Sequence, residues 1–156
     1  MQPKNTKGLL LTIFLTSLIA GTLDGLAAVF ILAKGQAAMV FKYIASAVYG
    51  KQAFAGGSEI IWVGVAFHYL IAAVFTILFF IIYDLVPVIR KRAFLVAAIY
   101  GIFVWVVMNL LVLPLTQVTN AITLEGAIKN ILILIVCIAL PIVLMRHRYG
   151  QALRPV

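Results

Sequence analysis

Two residues of this chain, Asp24 and His68, have side chains suited to passing a proton inside a membrane. A carboxylate takes up a proton and an imidazole both gives and accepts one near neutral pH, so an acid and a histidine at one depth form a minimal relay. Asn109, Asn130 and Lys129 also fall inside apolar runs and would add amide hydrogen bonds and a counter-charge. Other chemistry is poorly served. The sequence has no glycine-rich phosphate loop, no His and Cys grouping at zinc spacing, and no Ser, His and Asp set around an elbow motif. His68 and His147 belong to different depths and cannot share a metal, so no metal, no cofactor and no catalytic residue is assigned. The single cysteine, Cys137, excludes an internal disulfide and fits a small packing role within its apolar run.

The elements that position these residues follow from composition. Of 156 residues, 65% are hydrophobic and 10% charged, with a mean hydropathy of +1.20, whereas soluble domains carry about 25% charged residues. The chain reads as a membrane protein. Its net charge of +8 would suggest nucleic acid in a soluble protein, but the basic residues stand at the ends of apolar runs, where they anchor topology. Nucleic acid is therefore not an expected partner, and the lipid bilayer is.

Four runs are long enough to cross a bilayer, which takes about 20 apolar residues: 9–33, 60–83, 93–115 and 122–145. The first is too long for the apolar part of a signal peptide, although Leu26-Ala27-Ala28 weakly resembles a cleavage site. Between the first two runs, Phe41, Ile44, Ala45 and Val48 share one helical face while Lys42 and Ser46 lie elsewhere. That pattern predicts an amphipathic helix on the membrane surface, either a greasy connector, the simpler reading, or a lid. Ala55-Gly56-Gly57 breaks the chain before Ser58, an expected N-cap, with Glu59 at the positive helix end. Pro114 closes the third run, Pro141 is expected to kink the fourth, and the basic segment after Met145 reads as a short tail. The fold class is all-α: a four-helix transmembrane bundle in one domain, with one interfacial helix between helices 1 and 2.

Small residues mark the packing faces. Ser17, Gly21, Gly25 and Ala28 recur at three- or four-residue spacing in the first span, and Gly64, His68, Ala72 and Thr76 do so in the second. Gly101 and Gly126 play the same part in the third and fourth, letting helix backbones approach closely in lipid. Asp24 and His68 border these stripes and should face protein. Each lies nine residues from the end of its helix on the interfacial-helix side, about 13 Å at 1.5 Å per residue. Asn109, Lys129 and Asn130 fall in the same leaflet, so all four spans contribute to one polar layer. Asp24 with His68 is the expected pair, Lys129 is the alternative counter-ion, and Glu125 stands four residues before Lys129 as its own partner.

Lys4, Lys7, Arg90, Lys91, Arg92, Arg146, Arg148 and Arg154 fall on one side of the spans, against Lys34, Lys42, Lys51 and Lys129 on the other. By the positive-inside rule both termini are cytoplasmic. A polar layer of this kind either fixes the bundle, at about 0.6–2 kcal/mol per hydrogen bond, or lines a proton or solute path. The first reading makes the protein a structural or accessory membrane subunit. The alternative is a small proton-responsive transporter or channel component, and a membrane enzyme has the least support. Four spans enclose little volume, so a path would need a homodimer or a partner subunit.

The segments GTLDGLAA, FAGG, FHYLIAAVF and YGIFVWVVMNLLVLPLT resemble a family of small four-helix bacterial inner-membrane proteins labelled YagU-like. The resemblance runs from about Leu9 to Thr116 and includes Asp24, His68 and Asn109. It implies a bacterial inner-membrane location and attaches no activity.

Overall fold

The computed structural model describes residues 6–86, 92–118 and 123–152, with side chains through Gly150. Lys4, Pro87, Arg90, Lys91, Ile122 and Arg154 lie outside the described residues, and with them part of the basic count and of the turn between the second and third spans. The described chain is helical: α1 Thr6–Ala27, α2 Ala37–Tyr49, α3 Gln52–Ala55, α4 Ser58–Leu85, α5 Ala93–Val106, α6 Leu124–Ile133 and α7 Leu140–Ala152. Three π-helical segments extend or join these: Ala28–Leu32 after α1, Val107–Val112 after α5, and Leu134–Ala139 between α6 and α7.

Four continuous helices are long and apolar enough to cross a membrane: Thr6–Leu32, Ser58–Leu85, Ala93–Leu115 and Leu124–Gly150. At 1.5 Å per residue the shortest, of 23 residues, reaches about 35 Å, more than the ~30 Å hydrocarbon core. Their outward side chains are large and apolar, among them Phe14, Phe30, Trp62 and Phe94, and lipid covers such a surface. This is a multi-pass membrane protein with an all-α, four-helix bundle.

The core lies in one half of the bundle. Phe75, Phe79, Phe80 and Tyr83 from α4 meet Ala97, Tyr100 and Val104 from α5, and Ile138, Ile142 and Val143 from the fourth span. Tyr100 Oη donates across helices to the Phe75 carbonyl at 2.6 Å, satisfying a hydroxyl that lipid could not. Thr12, Thr16, Ser17 and Thr76 each bond the carbonyl four residues back, so these polar groups are satisfied within their own helices. In the other half, α2 packs on α4 while α6 packs on α5.

Several local expectations are corrected. Ser58 is the first helical residue and not the cap; Glu59 Oε1 instead accepts from the Gly57 N–H at 2.6 Å. Thr123 caps the fourth span, its hydroxyl accepting from Gly126 N–H at 3.1 Å. On α2 the buried face carries Ala45 and Ser46, and Val48 is exposed. Ser46 tolerates burial because its hydroxyl donates to the Tyr43 carbonyl at 2.6 Å.

The fourth span does not end near Met145. It continues as helix to Ala152, so Arg146, His147 and Arg148 are part of α7. The π-helical turn that ends at Ala139 stands immediately before Pro141, which lacks an N–H. A wider turn there absorbs the missing bond and lets the helix continue. Likewise α4 runs through Asp84 to Leu85, which puts Asp84 on a helix and not in a turn.

Candidate functional site

The half of the bundle near α2 holds the acid and the histidine. Gly21 lies against α4: a Cβ there would stand 2.9 Å from the Tyr69 ring and 3.2 Å from Ala72 Cβ. This closeness brings His68 to the backbone of α1. Its Nε2 is 2.7 Å from the Gly21 carbonyl oxygen, and a Cβ on Gly25 would be 3.2 Å from the same nitrogen. A carbonyl only accepts, so Nε2 carries the hydrogen of this bond. The imidazole is buried, with edge-to-face rings on two sides: Phe41 of α2 at 6.1 Å and Tyr69 at 5.5 Å between centroids. Thr22 and Tyr69 hydroxyls, 2.9 Å apart, make a second link between α1 and α4.

Asp24 is half-buried in the same region. It is next in sequence to Gly25, which lies against the His68 ring, on a helix that packs on both α4 and the Leu134–Ala139 segment of the fourth span. It makes no hydrogen bond and no ion pair among the described residues. Of the four acids in the chain, Glu59, Asp84 and Glu125 stand within the first or last turn of their helices, and Asp24 alone stands deep within a span. One turn beyond it the chain widens into the π-helical segment Ala28–Leu32, and Cys137 sits within another. Such segments recur at functional sites because they re-aim side chains at the cost of regular bonding.

The other members of the expected layer do not join this pair. Asn109 Nδ2 donates to the Trp105 carbonyl of its own helix at 3.0 Å, because that acceptor lies one turn back and needs no neighbouring helix. Lys129 pairs with Glu125 at 2.5 Å, both exposed, along one face of α6. Asn130 is half-buried on α6, which packs on α5, and among the described residues it completes no bond to Asp24 or His68.

The glycines divide in the same way. Gly64 touches the Phe41 carbonyl of α2, so it admits the short helix and not α1. Gly101 meets the Ile135 backbone and lets α5 close on the fourth span. Gly126 is exposed, and its position meets only the Thr123 hydroxyl, so it serves the helix start and no helix contact. Ser17 is buried on the α1 stripe with its hydroxyl turned to the Ile13 carbonyl.

A second polar cluster stands at the opposite end of the bundle. Arg146 is 6% exposed, yet it carries a full charge. Its guanidinium pairs with the Asp84 carboxylate and lies over the rings of Tyr83 at 4.4 Å, Phe80 at 5.4 Å and Tyr149 at 5.8 Å. Nε is buried without a hydrogen-bond acceptor, and the ring faces supply its electrostatic partner. Tyr83 Oη is 3.1 Å from His147 Nδ1. Reading the basic segment as a tail missed this cluster. Its signal was the spacing itself, since Arg146 continues the helical face of Ile142 and Val143 by one turn.

Among the described residues no group of three or more His, Cys, Asp or Glu could hold a metal ion. No family model matches the chain, and no curated protein or solved structure matches it.

Proposed function

We propose that this protein is a small membrane subunit in which Asp24 and His68 form a proton-responsive site, served from the side of the membrane on which α2 lies. One observation carries the reading: a carboxylate well inside a span has no hydrogen bond among the described residues, beside an imidazole with one nitrogen committed to a carbonyl. A polar group kept only to fasten helices is bonded to its neighbour, as Tyr100 is, whereas an intramembrane acid left open marks a pathway or a relay. His68 Nδ1 and the Asp24 carboxylate are the two groups that load and release the proton. The reading extends to an inner-membrane location in a bacterium, which rests on the resemblance to YagU-like proteins. Cytoplasmic termini rest on the distribution of Lys and Arg, and a second copy or partner subunit would complete a path that four helices are too few to enclose.

The test is proton flux into liposomes reporting through an enclosed pH-sensitive dye. Wild-type protein should accelerate dye response under an imposed gradient, and Asp24→Asn should return it to the rate of empty liposomes while its thermal midpoint in detergent stays unchanged. Equal flux in the two proteins would refute the site. Wild-type flux no faster than empty liposomes, with Asp24→Asn less stable, would instead assign the residue to structure.

A further inference from the structure

We infer that α2 is a gating strap over His68, latched by Gln117 from the far end of the third span. The inference deepens the reading of Asp24 and His68 as the site, but it stands on different contacts. First, α2 is the element that covers the histidine: the Phe41 ring stands edge-to-face on the imidazole, and the Phe41 carbonyl sits directly on Gly64, one turn before His68. Lifting α2 removes both together.

Second, α2 is held at its far end by a different hairpin of the bundle. Gln117 Nε2 donates to the Val48 carbonyl at 2.8 Å, and Gln117 N–H donates to the Ala47 carbonyl at 3.3 Å. These two bonds join the end of α2 to the chain just beyond the third span, 69 residues away from Val48. They are polar, exposed bonds, which water replaces at little net cost, about 0.5–1.5 kcal/mol each. The latch is therefore the weak part of the hold on α2, whose buried face on α4 carries Ala45 and Ser46.

Third, α2 is bounded by backbone suited to pivoting. Lys34 and Gly35 have φ of 50° and 90° on one side, and Gly50 has φ of 59° on the other. A Cβ on Gly35 would meet nothing within 4 Å, so the first pivot is not packed in place. Gly50 is the residue against which the Gln117 side chain rests, which puts the second pivot at the latch itself. The buried face of α2 on α4, which holds Ala45 and Ser46, together with the Phe41 contact and the two Gln117 bonds, defines the closed state, and rotation about the two pivots defines an open one in which His68 meets water.

The experiment reads His68 exposure directly and needs no flux. Purified protein in detergent is treated with diethyl pyrocarbonate, and modification of His68 is followed by mass spectrometry with His147 as internal reference. Gln117→Ala should raise the His68 rate at least threefold. In a Cys137→Ser background, Ala47→Cys with Gln117→Cys places one thiol on each of the two segments that a backbone hydrogen bond now joins, and loss of free thiol on oxidation reports the disulfide. The oxidised form should modify His68 at least threefold more slowly than the same protein reduced. Equal rates before and after oxidation would overturn the strap, and because one folded protein supplies both states, misfolding cannot imitate that result. If the strap gates His68 but liposomes show no proton flux, the proton reading fails and the strap stands.

Discussion

The two polar clusters of this bundle are built on opposite principles. At the end near α7, Arg146 is enclosed by Asp84 and three aromatic rings, and Tyr83 is joined to His147, so charge and hydroxyl both have partners. At the end near α2, His68 has one bond to a backbone carbonyl and Asp24 has none among the described residues. The first arrangement stabilises a single packing of α4 against α7. The second leaves a carboxylate and an imidazole nitrogen without a hydrogen bond among the described residues, an arrangement that costs stability. Closure is the difference between the two clusters, and under the proposed function it separates a cluster that holds helices together from one that exchanges a proton.

Breaking the closed cluster should have the largest effect on stability. Arg146→Met removes the cation from three rings and from the Asp84 carboxylate. We expect a loss of about 2–4 kcal/mol, read as a lower midpoint in thermal unfolding in detergent, with proton flux per folded molecule retained. A midpoint equal to wild type would show that the ring contacts contribute nothing and that the contrast between the two ends is wrong.

Next come the glycines that separate helix contact from helix start. Gly101→Ala puts a methyl against the Ile135 backbone, where neither side can yield, and should cost about 1–3 kcal/mol. Gly126→Ala, exposed at the start of α6, should fall within about 1 kcal/mol of wild type, since alanine's better helix propensity offsets the crowding of Thr123. Similar losses in both would restore Gly126 to a packing role.

At the open end the effects should be smaller and less coupled. His68→Leu forfeits the bond to Gly21 and should cost about 1–2 kcal/mol, whereas Asp24→Leu removes a half-buried, unbonded carboxylate and should be neutral or stabilising. The double variant measures what joins them. With no direct hydrogen bond, an interaction below about 1 kcal/mol is expected, and a larger value would mean that the two side chains meet.

How much of this could be read from the residues follows from the range of each signal. The spans were legible because apolar length is a property of consecutive residues, and the small-residue stripe found Gly21 and Gly25 because close approach leaves a local mark. The destination of a side chain was not. Asn109 stands at the right depth for a polar layer, yet it bonds Trp105 within its own helix, and depth alone cannot distinguish the two. Gly64 carries the same mark as Gly21 but receives α2, because spacing shows that something approaches and not what does. The π-helical turns were invisible for a related reason. A helix that widens for five or six residues changes which faces align without changing the composition, so the stripe along the fourth span from Gly126, which is exposed, to Pro141 does not continue on one face across Leu134–Ala139. Arg146 was missed because its sign matched the positive-inside pattern, which explains a basic residue without asking whether it is buried.

The smallest expected effect belongs to Lys129, and it tests the boundary of the open site. Lys129 and Glu125 form an exposed pair one turn apart on α6, a helix that packs on α5 and away from Asp24. Such a pair is screened by water and salt and constrains two long side chains for little return. Lys129→Ala should therefore leave the thermal midpoint within measurement error and the dye response of liposomes unchanged, at low and at high salt alike. The alternative gives a different pattern. If Lys129 supplied the counter-charge for Asp24, its loss would leave that carboxylate alone in a low-dielectric setting, where the interaction is strong and salt screens it weakly. Flux would then fall together with that of Asp24→Asn, and the double variant would be no worse than either single one. That outcome would move the site from the first and second spans to the first and fourth, and His68 would become a packing residue bonded to Gly21.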